Sequence, residues 1–115
     1  MDWRRLLPND AEVILSSTGN FVFDGGEKNN LGVLALTHDR LYVILFKGFA
    51  GQTPWMHASI PMKDLRNLRV SGALVRSLEF DFAAGSGLKH ADFISLDCEV
   101  REIMEKIEYE ADNSS

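Results

Sequence analysis

Three histidines and one cysteine are the side chains of this 115-residue chain with the widest chemical range. His90 and Asp92 flank Ala91, so in a β-strand both side chains project from the same face. Such a pair suits two metal ligands, or a general base and the carboxylate that orients it. No third ligand is predictable beside them. We therefore interpret the pair as outward-facing polar residues on an edge strand, and we expect no metal site.

The other reactive side chains also have structural explanations. His38 and Asp39 occupy a predicted hairpin turn, where Asp tolerates the required backbone angles. Cys98 falls in the first turn of a predicted helix, where the helix dipole would lower the pKa of a thiol. Its position beside the apolar stripe of that helix favours a half-buried structural thiol instead. Since no nucleophile and base can be paired, we expect a chain that is not an enzyme and needs no cofactor.

Cations are concentrated locally in one part of the chain. They are Lys63, Arg66, Arg69 and Arg76. Arg66 and Arg69 lie three residues apart in a predicted strand, so they need not project to the same side. We interpret the segment as a solvated face. It is also the place where a lipid or phosphate contact would be expected if the chain makes one.

Residues 41–46 form an apolar run, Leu-Tyr-Val-Ile-Leu-Phe, without polar alternation. A strand that is apolar on both faces must be covered on both. The cover for the second face is the N-terminal helix, the loop that follows, or a second copy of the chain, and we favour the second copy. The predicted interface residues, including two aromatic residues of the Gly-rich segment that follows, are Tyr42, Ile44, Phe46, Phe49 and Trp55.

Composition restricts the classes of partner and compartment. The net charge is −5, and the excess lies in the C-terminal segment from residue 97 onward, so nucleic acid is not an expected partner. A single cysteine cannot form an intramolecular disulfide, which favours a cytoplasmic location. The N-terminus lacks the apolar core of a signal peptide, and the longest apolar stretch is broken by polar residues.

The elements that position these residues form one predicted domain, residues 1–115. A short helix is expected over residues 2–8, followed by an antiparallel barrel of about seven strands over residues 12–94. The clearest strand is residues 76–83, with Leu78, Phe80 and Phe82 inward. An amphipathic helix over residues 96–111, with Ser95 as its N-cap and an acidic solvent face, is expected to close the barrel.

Two segments carry a resemblance to a known family. Residues 31–43, LGVLALTHDRLYV, resemble the G-x-L-x-L-T-x-x-R-L hairpin of GRAM and bacterial pleckstrin-homology-like (PH-like) domains, and residues 58–68, ASIPMKDLRNL, resemble a strand-and-turn segment of the same domains. The resemblance implies a PH-like barrel, a mainly β fold. The chain departs from lipid-binding members because its first hairpin loop, residues 24–30, has Lys28 as its only cation, and its last helix lacks the tryptophan often found there.

The combined expectation is a non-catalytic binding or assembly module. Its partner is another protein or its own copy, as a homodimer. The alternative is a peripheral membrane module that makes weak lipid contacts through the basic segment and the aromatic loop.

Overall fold

The computed structural model describes residues 2–48, 53–85 and 87–113. These residues form seven β-strands and one α-helix, which confirms the predicted mainly β fold with a terminal helix. The elements are β1 (Leu15–Phe23), β2 (Asn30–Leu36), β3 (Arg40–Lys47), β4 (Thr53–Pro61), β5 (Leu65–Ser71), β6 (Ser77–Ala84), β7 (Gly87–Ser95) and α1 (Val100–Asn113).

The seven strands form one antiparallel sheet in the order β4-β3-β2-β1-β7-β6-β5. Strands that follow each other in sequence are paired, except that β4 and β5 are the two edges and β1 pairs with β7 instead. Only the 3₁₀ turn Met62–Asp64 separates β4 from β5 in the chain. Because three residues span only about 10 Å, the two edges begin close together and the sheet must curl around its core.

Strand β3 is buried on both faces, as its apolar pattern predicts. On one face Leu41, Val43 and Leu45 join the main core, which also includes the inward residues of β6. On the other face Tyr42 and Ile44, which are 4% and 0% exposed, belong to a second apolar cluster with two residues of β2.

The chain's own N-terminal segment covers this second cluster. Leu7 is buried there, and Trp3, Ala11 and Val13 pack against it. The predicted helix over residues 2–8 is a shorter 3₁₀ helix, Trp3–Leu6, without a side-chain cap from Asp2. The interpretation that a second copy covers Tyr42 and Ile44 is therefore corrected: the cover lies within the chain.

The α-helix begins at Val100, four residues later than predicted. Residues 96–99 are instead held against β1, because Leu96 N–H donates to the Thr18 carbonyl and the Asp97 carboxylate accepts hydrogen bonds from Ser17 Oγ (2.7 Å) and Thr18 N–H. Leu96 is 63% exposed and does not belong to the apolar stripe.

The helix buries Val100, Ile103 and Ile107 in the main core and packs against β5, β6 and the Met62–Asp64 turn. Its acidic face is not uniformly solvated: Glu110 is buried, and its Oε1 lies 3.4 Å from His38 Nδ1. The described residues contain no helix that is long and apolar enough to span a membrane.

The role of Asp97 predicts an acid-dependent stability. Burial on its own raises the pKa of Asp97, but hydrogen bonds from Ser17, Thr18, Cys98 and Ser95 outweigh it and hold the pKa below its usual value. A lowered folded-state pKa means that the stabilisation is present at neutral pH and is lost as the pH falls through that folded-state value. Asp97→Asn should lower the free energy of unfolding by about 1 kcal/mol at pH 7. The difference from wild type should shrink below about pH 4, as urea titrations at both pH values would show.

Glu99→Gln is the matched control, because it removes an exposed carboxylate two residues away. An Asp97→Asn variant with the same acid profile as wild type would contradict this account.

The N-terminal cover predicts a contrast between two neighbouring leucines. Leu7 is 8% exposed and Leu6 is 37% exposed. Leu7→Ala should therefore lower the free energy of unfolding by about 2 kcal/mol, whereas Leu6→Ala should change it by less than about 0.5 kcal/mol. Equal melting curves for the two variants would show that the segment does not cover the β2–β3 face in solution.

Candidate functional site

The five predicted interface residues do not form one surface. Tyr42 and Ile44 are buried under the N-terminal segment, and half-buried Phe46 packs against the same cluster. Trp55 packs against the main core on the opposite face of the sheet, with Lys47 Nζ 4.9 Å from its ring centre. Phe49 lies outside the described residues. Self-association through these five residues stays a prediction. Tyr42 and Ile44 are buried, so they have no exposed surface with which to contact a second copy.

The four predicted anion-contact residues are exposed but spread along β5 and beyond it. Lys63 lies in the turn before β5, and Arg66 donates to the backbone carbonyls of Lys63 and Leu65. Arg69 donates to Asn67 and pairs with Glu79 at 2.9 Å. Arg76 is the last residue of the loop between β5 and β6. Two of the four are therefore occupied by contacts within the chain, and the structure does not bring the set together as one cationic site.

A polar cluster lies on the outer face of β5, β6 and β7, and His90 is at its centre. His90 Nδ1 lies 2.6 Å from Asp81 Oδ1. His90 Nε2 faces Glu79 Oε1 at 3.3 Å and Asp92 Oδ1 at 3.5 Å. The pair His90 and Asp92 does face outward, but β7 lies between β1 and β6, which corrects the predicted edge position.

The electrostatics of the cluster follow from its crowded carboxylates. The hydrogen bond with Asp81 raises the pKa of His90 above its ordinary value. Partial burial, together with repulsion from Glu79, raises the pKa of Asp92. The pKa of Glu79 is lowered, chiefly by a hydrogen bond from Ser71 and further by Arg69. The cluster therefore contains three carboxylates, and the only cationic groups in contact with them are the imidazole of His90 and the guanidinium of Arg69 among the described residues.

Sequence reasoning found His90 and Asp92 but missed Glu79, whose carboxylate is the third group of a cluster that could hold a metal ion. Ligand atoms of Glu79, His90 and Asp92 all lie within 4.8 Å of one another. The pairing of β6 with β7 places Glu79 opposite Asp92 and Asp81 opposite His90. If Ala84 is paired with Gly87 in the hairpin, counting outward along both strands places Glu79 opposite Asp92. The sequence therefore contained the information needed to find Glu79.

The loop of residues 72–76, between β5 and β6, presents apolar side chains to solvent. Leu74 is 99% exposed and Val75 is 65% exposed. The base of the loop is closed by a hydrogen bond between Ser71 Oγ and Ser77 Oγ at 3.1 Å. Gly72 adopts φ +95°, and a Cβ at this position would collide with the Val75 carbonyl oxygen. The loop is therefore a defined turn, and sequence reasoning did not single it out.

A cavity of about 470 Å³ lies beside this loop. It lies between the loop and the segment that precedes α1, and it is lined by Leu74, Arg76, Ser95, Cys98, Glu99 and Val100. Burial, followed by the neighbouring Asp97, raises the pKa of the Cys98 thiol, opposite to the lowering that a helix N-terminus would produce. A raised pKa disfavours the thiolate, which is the form in which a cysteine acts as a nucleophile.

Comparison with known structures identifies the fold. The chain is similar to a pleckstrin homology domain from Shewanella amazonensis SB2B, with a TM-score of 0.55 and 20% sequence identity over 94% of this chain and 90% of that one. No protein-family model matches the sequence. No curated protein matches it either. The fold is thus PH-like, as the sequence resemblance implied, while the resemblance to GRAM domains in particular stays a prediction.

The structure of the 72–76 loop predicts a difference between two glycines with positive φ. Gly85 has φ +61° with open space around its Cβ position, whereas Gly72 has both a positive φ and a backbone obstacle. Gly85→Ala should cost about 1 kcal/mol of stability from its backbone angle alone. Gly72→Ala should cost about 3 kcal/mol, because the loop must also shift. Equal costs in chemical denaturation would show that the loop is not built around Gly72.

Proposed function

We propose that this chain is a non-catalytic protein-binding module that contacts its partner through the 72–76 loop. The observation that carries the proposal is the exposure of Leu74 and Val75, adjacent residues at the tip of a loop with a defined backbone. A PH-like fold supports a role in binding generally, and the loop gives that role a location.

Leu74 at 99% exposure adds nothing to the core, although burial of a leucine is worth about 1.5–3 kcal/mol. Its contribution to stability would be realised only in a complex. The adjoining cavity offers a mainly polar recess beside this apolar projection. An apolar anchor next to a polar-rimmed recess is typical of the central contacts of protein interfaces.

The surrounding charges favour a protein partner over an anionic membrane. Arg76 is close to the loop tip, but Glu99 lines the same cavity. Arg69 is paired with Glu79, and Lys63 and Arg66 lie at the far end of β5. Attraction to anionic lipid requires several cations near one surface, each worth about 1 kcal/mol. The loop lacks such a group among the described residues.

The double variant Leu74→Ser/Val75→Ser tests the proposal. Because both side chains are exposed, the free energy of unfolding should change by less than about 0.5 kcal/mol. Affinity capture from the native extract, compared quantitatively with wild type, should show selective loss of at least one protein. Leu88→Ser is the matched control, because Leu88 is 62% exposed on β7, beside the end of β6 that is opposite to the loop.

The same variants should be sedimented with vesicles of phosphatidylcholine, with and without phosphatidylserine. Loop-dependent binding to the anionic vesicles would show that the loop contacts a membrane and not a protein partner. Loop-dependent dimerisation in analytical ultracentrifugation would identify the partner as a second copy. A capture profile that the loop variant leaves unchanged would refute the proposal.

A further inference from the structure

On the outer face of β6 and β7, one imidazole nitrogen and two carboxylate oxygens lie within 4.8 Å of one another. Glu79 comes from β6, and His90 and Asp92 come from β7. Both strands are paired on both sides within the sheet. The three ligand atoms are therefore held by rigid backbone, which reduces the cost of organising a site.

The distances in this cluster fit a shared metal ion better than a shared proton. His90 Nε2 lies 3.3 Å from Glu79 Oε1 and 3.5 Å from Asp92 Oδ1. Charge-assisted N–H···O bonds are about 2.7–2.9 Å long. By contrast, ligands about 2.0–2.2 Å from a tetrahedral ion are about 3.3–3.6 Å apart.

The second nitrogen of the imidazole is held in the way that a metal-binding histidine requires. His90 Nδ1 lies 2.6 Å from Asp81 Oδ1, and Asp81 in turn accepts a hydrogen bond from Asn67 Nδ2 at 2.7 Å. A carboxylate on one ring nitrogen fixes the ring and leaves the other nitrogen to bind metal. Asp81 would therefore orient His90 without being a ligand.

Charge also favours a cation in this cluster. The carboxylates of Glu79, Asp81 and Asp92 each place an oxygen within 3.5 Å of an imidazole nitrogen of His90. Arg69 pairs with Glu79 Oε1 at 2.9 Å and offsets one of the three negative charges. The side chains of His90 and Asp92 are 28% and 29% exposed, so an ion would reach the cluster from solvent.

We propose that Glu79, His90 and Asp92 bind one divalent transition-metal ion of the zinc class, with water completing its coordination. One imidazole and two carboxylates suit zinc and its neighbours, whereas Mg²⁺ and Ca²⁺ prefer all-oxygen sites. Arg69 competes with the ion for Glu79 and lowers the affinity of the site.

Titration of the full chain without a polyhistidine tag tests this assignment. Isothermal titration calorimetry with ZnCl₂ should give one ion per chain, and excess MgCl₂ should not compete. CoCl₂ should produce the intense visible absorption of tetrahedral Co²⁺. His90→Gln and Asp92→Asn should each weaken binding at least about 10-fold, and Asp81→Asn should weaken it about 10-fold through lost orientation. Arg69→Gln should tighten it, which a merely structural role for Arg69 does not predict.

Two control variants exclude other sites. His38→Gln removes a histidine that also lies beside two carboxylates, Glu12 and Glu110, and Cys98→Ser removes the one thiol. Both should leave the Co²⁺ spectrum unchanged, and metal-free melting curves should show that every variant is folded. The proposal fails if wild type binds neither ion, or if binding persists in both His90→Gln and Asp92→Asn. It also fails if Arg69→Gln weakens binding, since the cluster would then be an ion-pair network around a protonated histidine.

Discussion

Strand β3 lies between two apolar clusters, and the rest of the fold follows from the need to cover both of its faces. One face carries Leu41, Val43 and Leu45 into the main core, where the curled sheet and α1 enclose them. The other carries Tyr42 and Ile44, which require a second layer outside the sheet. The N-terminal segment supplies that layer with Leu7 and Trp3. A short 3₁₀ helix is sufficient, because the segment has only to place a few side chains over two strands.

Closure of the main core depends on contacts between residues far apart in sequence. The pairing of β1 with β7 brings the first strand beside the last, and Gly19 allows this approach because a Cβ there would collide with the Ile94 carbonyl oxygen. Asp97 continues the contact beyond β7 by accepting hydrogen bonds from Ser17 and Thr18. These bonds delay the helix until Val100, so α1 begins where it can pack over β5 and β6.

The features that sequence could predict are those that local patterns determine. The alternation of Leu78, Phe80 and Phe82 predicted β6, and the double-sided run predicted the burial of β3. The predicted start of α1 was wrong, because Ser95 was interpreted as its N-cap from local sequence alone. The carboxylate of Asp97 instead bonds to β1, about 80 residues away in sequence, and holds the chain out of the helix there. Glu79 was missed for a different reason: its role depends on the register of the β6–β7 hairpin. The sequence did not predict the exposed 72–76 loop, because two adjacent apolar residues, Leu74 and Val75, do not indicate by themselves whether they are buried or exposed.

The two proposed sites both adjoin strand β6 but depend on different physical features. The polar cluster depends on strand register, since a slip of one residue would move Glu79 to the core face. The loop depends on the backbone of Gly72 and on the Ser71–Ser77 hydrogen bond at its base. Ser71 connects them, because it also donates a hydrogen bond to Glu79. Substitutions at the loop tip leave Ser71 in place, and substitutions of His90 or Asp92 on β7 leave the loop backbone in place. The two sites can therefore be altered separately, and each can be tested in a chain where the other is intact.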